Sequence, residues 1–212
     1  MIGIWEILDF DIITSSIIFE VNEWEMSDLL KKVNDISPLS VEALEELVKC
    51  IQTKVYDKGI LIHTEGRVNK QLFFVESGLV KHFYYHDGNQ FVLRFFEENN
   101  FFIATDSFFN DLPAEYSTLA LEETVISHLE YDDFERLCQK YHSFESFARK
   151  FVSIVAYTAI SNLKGLLYLD ATERYAKFIK EYGHLQQRIS LGDTAGYLGI
   201  SQVQLSRIRS KK

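Results

Sequence analysis

Cysteine is almost missing from this chain: Cys50 and Cys138 are the only two in 212 residues. Neither sits in a CxxC or CxxH pair, so a four-thiolate iron–sulfur cluster and a Cys-rich zinc site are both excluded. Nothing indicates an oxidising compartment, and both read as reduced thiols. No phosphate-cradling P-loop, no nucleophile elbow and no glycine-rich dinucleotide loop follows a strand. No catalytic constellation remains, and the chain does not read as an enzyme. The first 25 residues contain no Lys or Arg, which a secretory signal needs at its start. Asp9, Asp11 and Glu20 interrupt the same stretch before it reaches a membrane-spanning length. Met26 precedes Ser27-Asp28 and a helical pattern, so residues 1–26 read as an extra segment appended from an upstream start codon. The alternative is an additional strand or helix docked on the domain.

Net charge is −9, but its sign changes along the chain. From Ala171 onward there are eight Lys/Arg against three Asp/Glu, whereas the preceding residues carry 14 against 28. Such an asymmetry assigns a separate, basic task to the C-terminus. The segment between Arg94 and Arg136 has no cation at all and eleven acidic residues.

Hydrophobic periodicity divides the rest. Residues 27–52 carry apolar positions at helical spacing, split at Pro38, with Ser40 placed to cap the second helix. From Thr53 to Tyr131, short runs such as "QLFFVESG", "LVKHFYYH" and "FVLRFF" are cut by turn residues. They predict an antiparallel β-roll of jelly-roll type, with a hairpin at "DGN". "DDFERLCQKY" is a short helix. A long apolar stripe then runs about 38 Å at the helical rise, through Phe147, Phe151, Ile154, Val155, Thr158 and Leu166. A helix so apolar on nearly all sides needs more than one neighbour, and these six residues are expected to meet a second subunit. The fold class is therefore α+β. The expected division is 27–140 for a sensor roll, 141–169 for a dimerisation helix and 170–212 for a helical DNA-binding domain.

The last twenty-five residues explain the basic end. Ser190 caps one helix, Gly199 takes the left-handed turn four residues after the small Ala195, and a second helix starts at Gln202. Leu198, Ile200, Leu205 and Ile208 point into one small core, the spacing of a helix-turn-helix. Its exposed face carries Ser201, Gln202, Gln204, Ser206 and Arg207; Gln suits adenine and Arg suits guanine in the major groove. Ser190, Arg188, Arg209, Lys211 and Lys212 suit phosphates.

With this order of elements the chain resembles the cyclic-AMP receptor protein/fumarate-nitrate regulator (Crp/Fnr) family over about residues 27–212. The likeness rests on Lys58, Gly59, Ile60, Ile62, Glu65 and Gly66, on "LFFVESGLVKHF" with Gly78, on Gly88, and on "ATERYAKFI" and "DTAGYLGISQVQLSRIR". The resemblance implies a cytoplasmic homodimer without membrane association that regulates transcription at palindromic double-stranded DNA, with RNA polymerase as a further partner. It also implies a β-wing after the recognition helix, and the chain stops at Lys212 before one.

Family members that bind nucleotides have a Gly-Glu pair and then an Arg-Ser or Arg-Thr pair. Here those places fall near Ile103-Ala104 and Tyr116-Ser117, leaving Phe102, Ala104, Tyr116 and Ser117 as candidate effector positions. A phosphodiester there without a cation is costly, so cyclic AMP and cyclic GMP are not expected as ligands, and no cofactor is assigned. Tyr84, Tyr85, Phe108 and Phe109 are further aromatic candidates for a pocket, with an aromatic core as the simpler account. His63, His82, His86 and His128 are expected to face solvent from strands rather than to hold haem or another metal. The rival reading is a cupin-like metal- or small-molecule-binding roll. It needs an H-x-H pair that His82 and His86 do not make.

Overall fold

A computed structural model describes residues 27–210; residues 1–26, on which the expectation of an appended segment falls, and Lys211 and Lys212 lie outside them. Two helices open the described chain, α1 (Asp28–Ile36) and α2 (Val41–Cys50). Ser27 and Ser40 each accept a hydrogen bond from a backbone N–H in the first turn, satisfying donors that have no intrahelical partner.

Eight strands follow: β1 (Gln52–Tyr56), β2 (Leu61–His63), β3 (Gln71–Ser77), β4 (Val80–His86), β5 (Asn89–Phe96), β6 (Phe101–Phe102), β7 (Ser117–Ala120) and β8 (Thr124–Glu130). They form two antiparallel sheets in the orders β1-β8-β3-β6 and β2-β7-β4-β5. A short helix, α3 (Thr105–Asn110), lies between β6 and β7. The β4–β5 hairpin turns on Asp87 and Gly88, both at positive φ, as a two-residue turn matched to strand twist requires. Gly78 connects β3 to β4 at φ +99°, and a Cβ there would meet the Glu123 carbonyl at 2.7 Å.

β3 and the first half of β4 are buried on both faces, and this explains why they read as nearly continuous apolar runs instead of alternating ones. Between the sheets lie Phe73, Val75, Val80, Phe96, Phe102 and Ile126. On the outer face of the first sheet, Leu72, Phe74 and Leu129 pack against α1, α2, α4 (Tyr131–Lys140) and the start of α5 (His142–Tyr168). The outer face of the second sheet is covered by the C-terminal helices: α6 (Ala171–Tyr182), a short 3-10 turn (Gly183–Leu185), α7 (Leu191–Leu198) and α8 (Gln202–Ser210). Leu79, Phe83, Val92 and Phe95 of the roll share one core with Phe178, Leu185, Leu198 and Leu205.

The long helix divides into two regimes. Phe144, Phe147 and Phe151 are buried in the first-sheet core, which corrects the expectation that Phe147 and Phe151 face a second subunit. From Val152 onward the helix leaves the core: Ile154, Tyr157, Ile160, Leu166 and Leu167 are exposed, and Val155 and Thr158 are half-buried. α5 is long and apolar enough, by length and composition alone, to cross a bilayer. Its first three turns are instead anchored by Phe144, Phe147 and Phe151 in the roll core.

Candidate functional site

The helical pair at the C-terminus is built as its sequence predicts. Ser190 Oγ accepts from the Asp193 N–H at 3.0 Å, and Gly199 adopts φ +63°. The Ile200 N–H returns to the Ala195 carbonyl at 3.1 Å. Ala195, Leu198 and Leu205 are buried, with Ile200 and Ile208 packed beside them. Ser201 and Gln204 cap α8 reciprocally: the Ser201 N–H donates to Gln204 Oε1 at 3.0 Å and the Gln204 N–H donates to Ser201 Oγ at 3.2 Å. This capping box engages the Gln204 amide oxygen, so the side chains left open on the exposed face are Gln202, Ser206, Arg207 and Arg209. Neither Arg207 nor Arg209 has an ion-pair partner among the described residues.

Arg188 is not a surface cation awaiting phosphate. It donates to Glu98 through Nη1 and Nη2, at 3.1 and 2.8 Å, and to Glu122 through Nε and Nη2, the latter at 2.6 Å. Hydrogen bonds to Glu98, and then to Glu122, push its pKa further up. His184 adds a contact to Glu97 at 2.6 Å. Deeper in the same interface, Lys81 of β4 pairs with Asp193 of α7, both buried, and Lys81 Nζ also donates to Gln90 Oε1 at 3.0 Å. Strand alternation puts Lys81 beside Leu79 and Phe83 on the outer face, where α7 covers it. Gly196 allows this approach: a Cβ on it would stand 2.9 Å from the Gln90 carbonyl oxygen.

A cavity of about 390 Å³ lies where roll, α5 and C-terminal helices meet. Phe102 and Tyr116 line it as expected, together with Arg94, Leu163, Lys177 and Tyr197. Ala104 and Ser117 do not; both are buried away from it, and Ser117 Oγ instead accepts the Glu65 N–H at 3.0 Å. Among the other aromatic candidates, Phe108 is in the first-sheet core, while Tyr85 and Phe109 are exposed and Tyr84 is half-buried outside the cavity lining. The premise that no cation reaches this region is also corrected. Arg94, Arg174 and Lys177 all line the cavity, the last two from a helix some seventy residues later in sequence, beyond the reach of any local motif.

The histidines differ from expectation as well. His63 and His82 are buried, not solvent-facing; His128 is half-buried and only His86 is exposed. His82 Nδ1 is 2.6 Å from Thr118 Oγ1, and its ring packs edge-on to Phe96 and Phe102. His63 lies tilted against His82 and Tyr116, with both ring nitrogens unpartnered among the described residues. Burial lowers the His63 pKa to about 4 and, with help from His63 and Arg94, takes His82 well below its ordinary value. Above the unfolded pKa of about 6.5 both are neutral in either state and neither affects stability. As pH falls from about 6.5 to about 4, the unfolded chain takes up protons that folded His63 refuses, so stability declines. Urea unfolding at pH 7, 5.5 and 4.5 should show this decline, and His63→Phe should make it shallower, leaving the part due to His82. A His63→Phe curve parallel to the parent would contradict it.

Residues 53–141 match the cyclic nucleotide-binding domain family. A cAMP-dependent protein kinase regulatory subunit from Debaryomyces hansenii is 31% identical over 110 residues, covering 52% of this chain and 24% of that protein. The match thus spans about a quarter of that relative's length. Among solved structures, a protein assigned to the Crp/Fnr regulators from Eubacterium rectale superposes with a TM-score of 0.67 at 14% identity, over 82% of this chain and 83% of that one. FixK2 from Bradyrhizobium japonicum superposes at 0.66 and 18% identity, over 76% and 83%. The chain has the Crp/Fnr fold, with a cyclic nucleotide-binding-type roll.

Proposed function

We propose that this protein is a homodimeric DNA-binding transcription regulator of the Crp/Fnr type. The observation that carries the reading is the exposed face of α8, where Gln202, Ser206, Arg207 and Arg209 stand free beside a capped, glycine-turned helix. The fold likeness supports it, and so does the concentration of basic residues in this part of an acidic chain. The bare second half of α5 is the surface for the partner protomer, with Ile154, Thr158 and Leu166 on it, so that two α8 helices meet successive major grooves of a palindromic site. Transcription control brings RNA polymerase in as a further partner and places the protein in the cytoplasm without membrane association. Cyclic AMP is not the effector, because no acidic side chain lines the cavity to receive a ribose hydroxyl.

Selection of genomic fragments by the protein, at two salt concentrations, tests the reading. A palindromic site should emerge. Arg207→Ala or Gln202→Ala should then weaken that site by about 1–3 kcal/mol each and relax preference at one base position. Arg188→Gln should lower the unfolding midpoint, because its partners are Glu98 and Glu122. Absence of any enriched site, with and without cell extract, would overturn the assignment.

A further inference from the structure

We infer that the cavity between roll, α5 and the C-terminal helices binds a small organic anion, an aromatic or alicyclic carboxylate with an apolar body. This rests on the regulator reading only in calling the ligand an effector; the binding itself follows from the cavity's chemistry.

The charge of the lining is one-sided. Arg94, Arg174 and Lys177 reach the cavity and no Asp or Glu does, in a chain with 31 acidic residues against 22 basic ones. Lys177 has Glu181 at 3.7 Å. Arg94 and Arg174 have no carboxylate within ion-pair distance among the described residues. Arg174 spends Nε and Nη1 on the Leu198 and Leu169 carbonyls, which hold the guanidinium in place without neutralising it. Arg94 lies over the Phe96 ring, 4.9 Å from its centroid. A half-open, mainly apolar pocket whose positive charge is not balanced by a lining carboxylate favours an anion over a neutral molecule of equal shape.

The remaining walls are mainly apolar, with Phe96, Phe102 and Ile103 from the roll and Leu163 and Leu166 from α5, broken by polar groups such as Tyr116 and Asn162. At about 390 Å³ the space lies near the small end of ligand sites, roughly 300–1,000 Å³. It suits a compact ring system with one acidic group. The third wall gives binding a consequence. Lys177 belongs to α6, and Tyr197 and Leu198 belong to α7, so an anion seated here touches the roll and the α6–α8 unit at once. Occupancy favours whichever placement of that unit supplies the Lys177 contact.

Naphthalene-2-acetate and naphthalene-2-acetamide, matched in shape and differing in charge, are the probes, titrated calorimetrically into the full chain, with cyclic AMP in parallel. The acid should bind at least tenfold more tightly than the amide. Arg94→Gln and Lys177→Gln should weaken the acid severalfold and leave the amide unchanged. Ala159→Phe, on an exposed position of the lining, should abolish binding of both, with circular dichroism confirming that the variant is folded. Equal affinity of acid and amide, acid binding untouched by Ala159→Phe, or no acid binding at millimolar concentration would each overturn the inference. Binding of cyclic AMP without the acid would overturn it in favour of a nucleotide. DNA selection without probe is scored separately, so failure here with an operator recovered leaves the regulator reading intact.

Discussion

Asp193→Ala should cost about 3–5 kcal/mol of unfolding free energy, the range expected when one partner of a buried ion pair is removed. The reason is the group left behind. Lys81 is 4% exposed, and without the carboxylate its ammonium keeps only the Gln90 amide oxygen and the face of Phe83 at 5.0 Å. Neither supplies the charge that offsets desolvation. The double substitution Lys81→Met, Asp193→Leu removes both charges and should recover most of the loss, because a well-packed apolar pair is often neutral or better at such a site. Urea midpoints of the single and double variants decide the matter. A single variant within about 1 kcal/mol of the parent would mean that α7 lifts off the sheet and rehydrates Lys81 at little cost. The docked arrangement would then be weak.

Phe95→Ala should cost a comparable amount, about 3–5 kcal/mol for truncating a fully buried aromatic. Phe95 belongs to β5, yet its ring neighbours are Phe178, Tyr182 and Tyr197 of the C-terminal helices, with centroids 6.4, 5.6 and 5.7 Å away. The cavity it leaves therefore opens between roll and helices, not inside either. Because one core serves both, the parent should unfold in a single transition by far-UV circular dichroism and by tyrosine signals. Phe95→Ala should lower that midpoint, and hydrogen exchange should rise most in 171–210. If the parent already melts in two steps, with those helices first, the shared core is not the cooperative unit described here.

These two residues also mark where the sequence stops being informative. The local features of the C-terminal helices were legible because each depends on near neighbours. Ser190 caps within three residues, Gly199 turns within one, and Leu198 and Leu205 follow helical spacing. The roll was legible as strands because turn residues punctuate it. What covers each strand was not. Lys81 on a strand normally reads as solvent-facing, and only α7, 112 residues later, makes it buried. Arg188 has the composition of a phosphate ligand, and its partners Glu98 and Glu122 lie 90 and 66 residues away. His63 and His82 are buried by the same kind of distant closure. For α5 the period held over the whole helix, but periodicity cannot tell an own-core face from a partner face. Phe147 and Phe151 went to the first, Ile154 and Leu166 to the open surface.

The acidic clasp on Arg188 bears on counterions. A cation binding a duplex releases condensed ions from it, and each phosphate neutralised adds roughly 0.9 to the salt slope of association. Arg188, held by Glu98 and Glu122, releases none while the helices stay on the roll. If the protein binds DNA as proposed, the docked form would approach it with fewer effective charges than its composition suggests, and its grip on non-specific sequence would be correspondingly lighter. On that reading the acidic roll would lower background occupancy of the genome by holding one of the cations that would otherwise produce it.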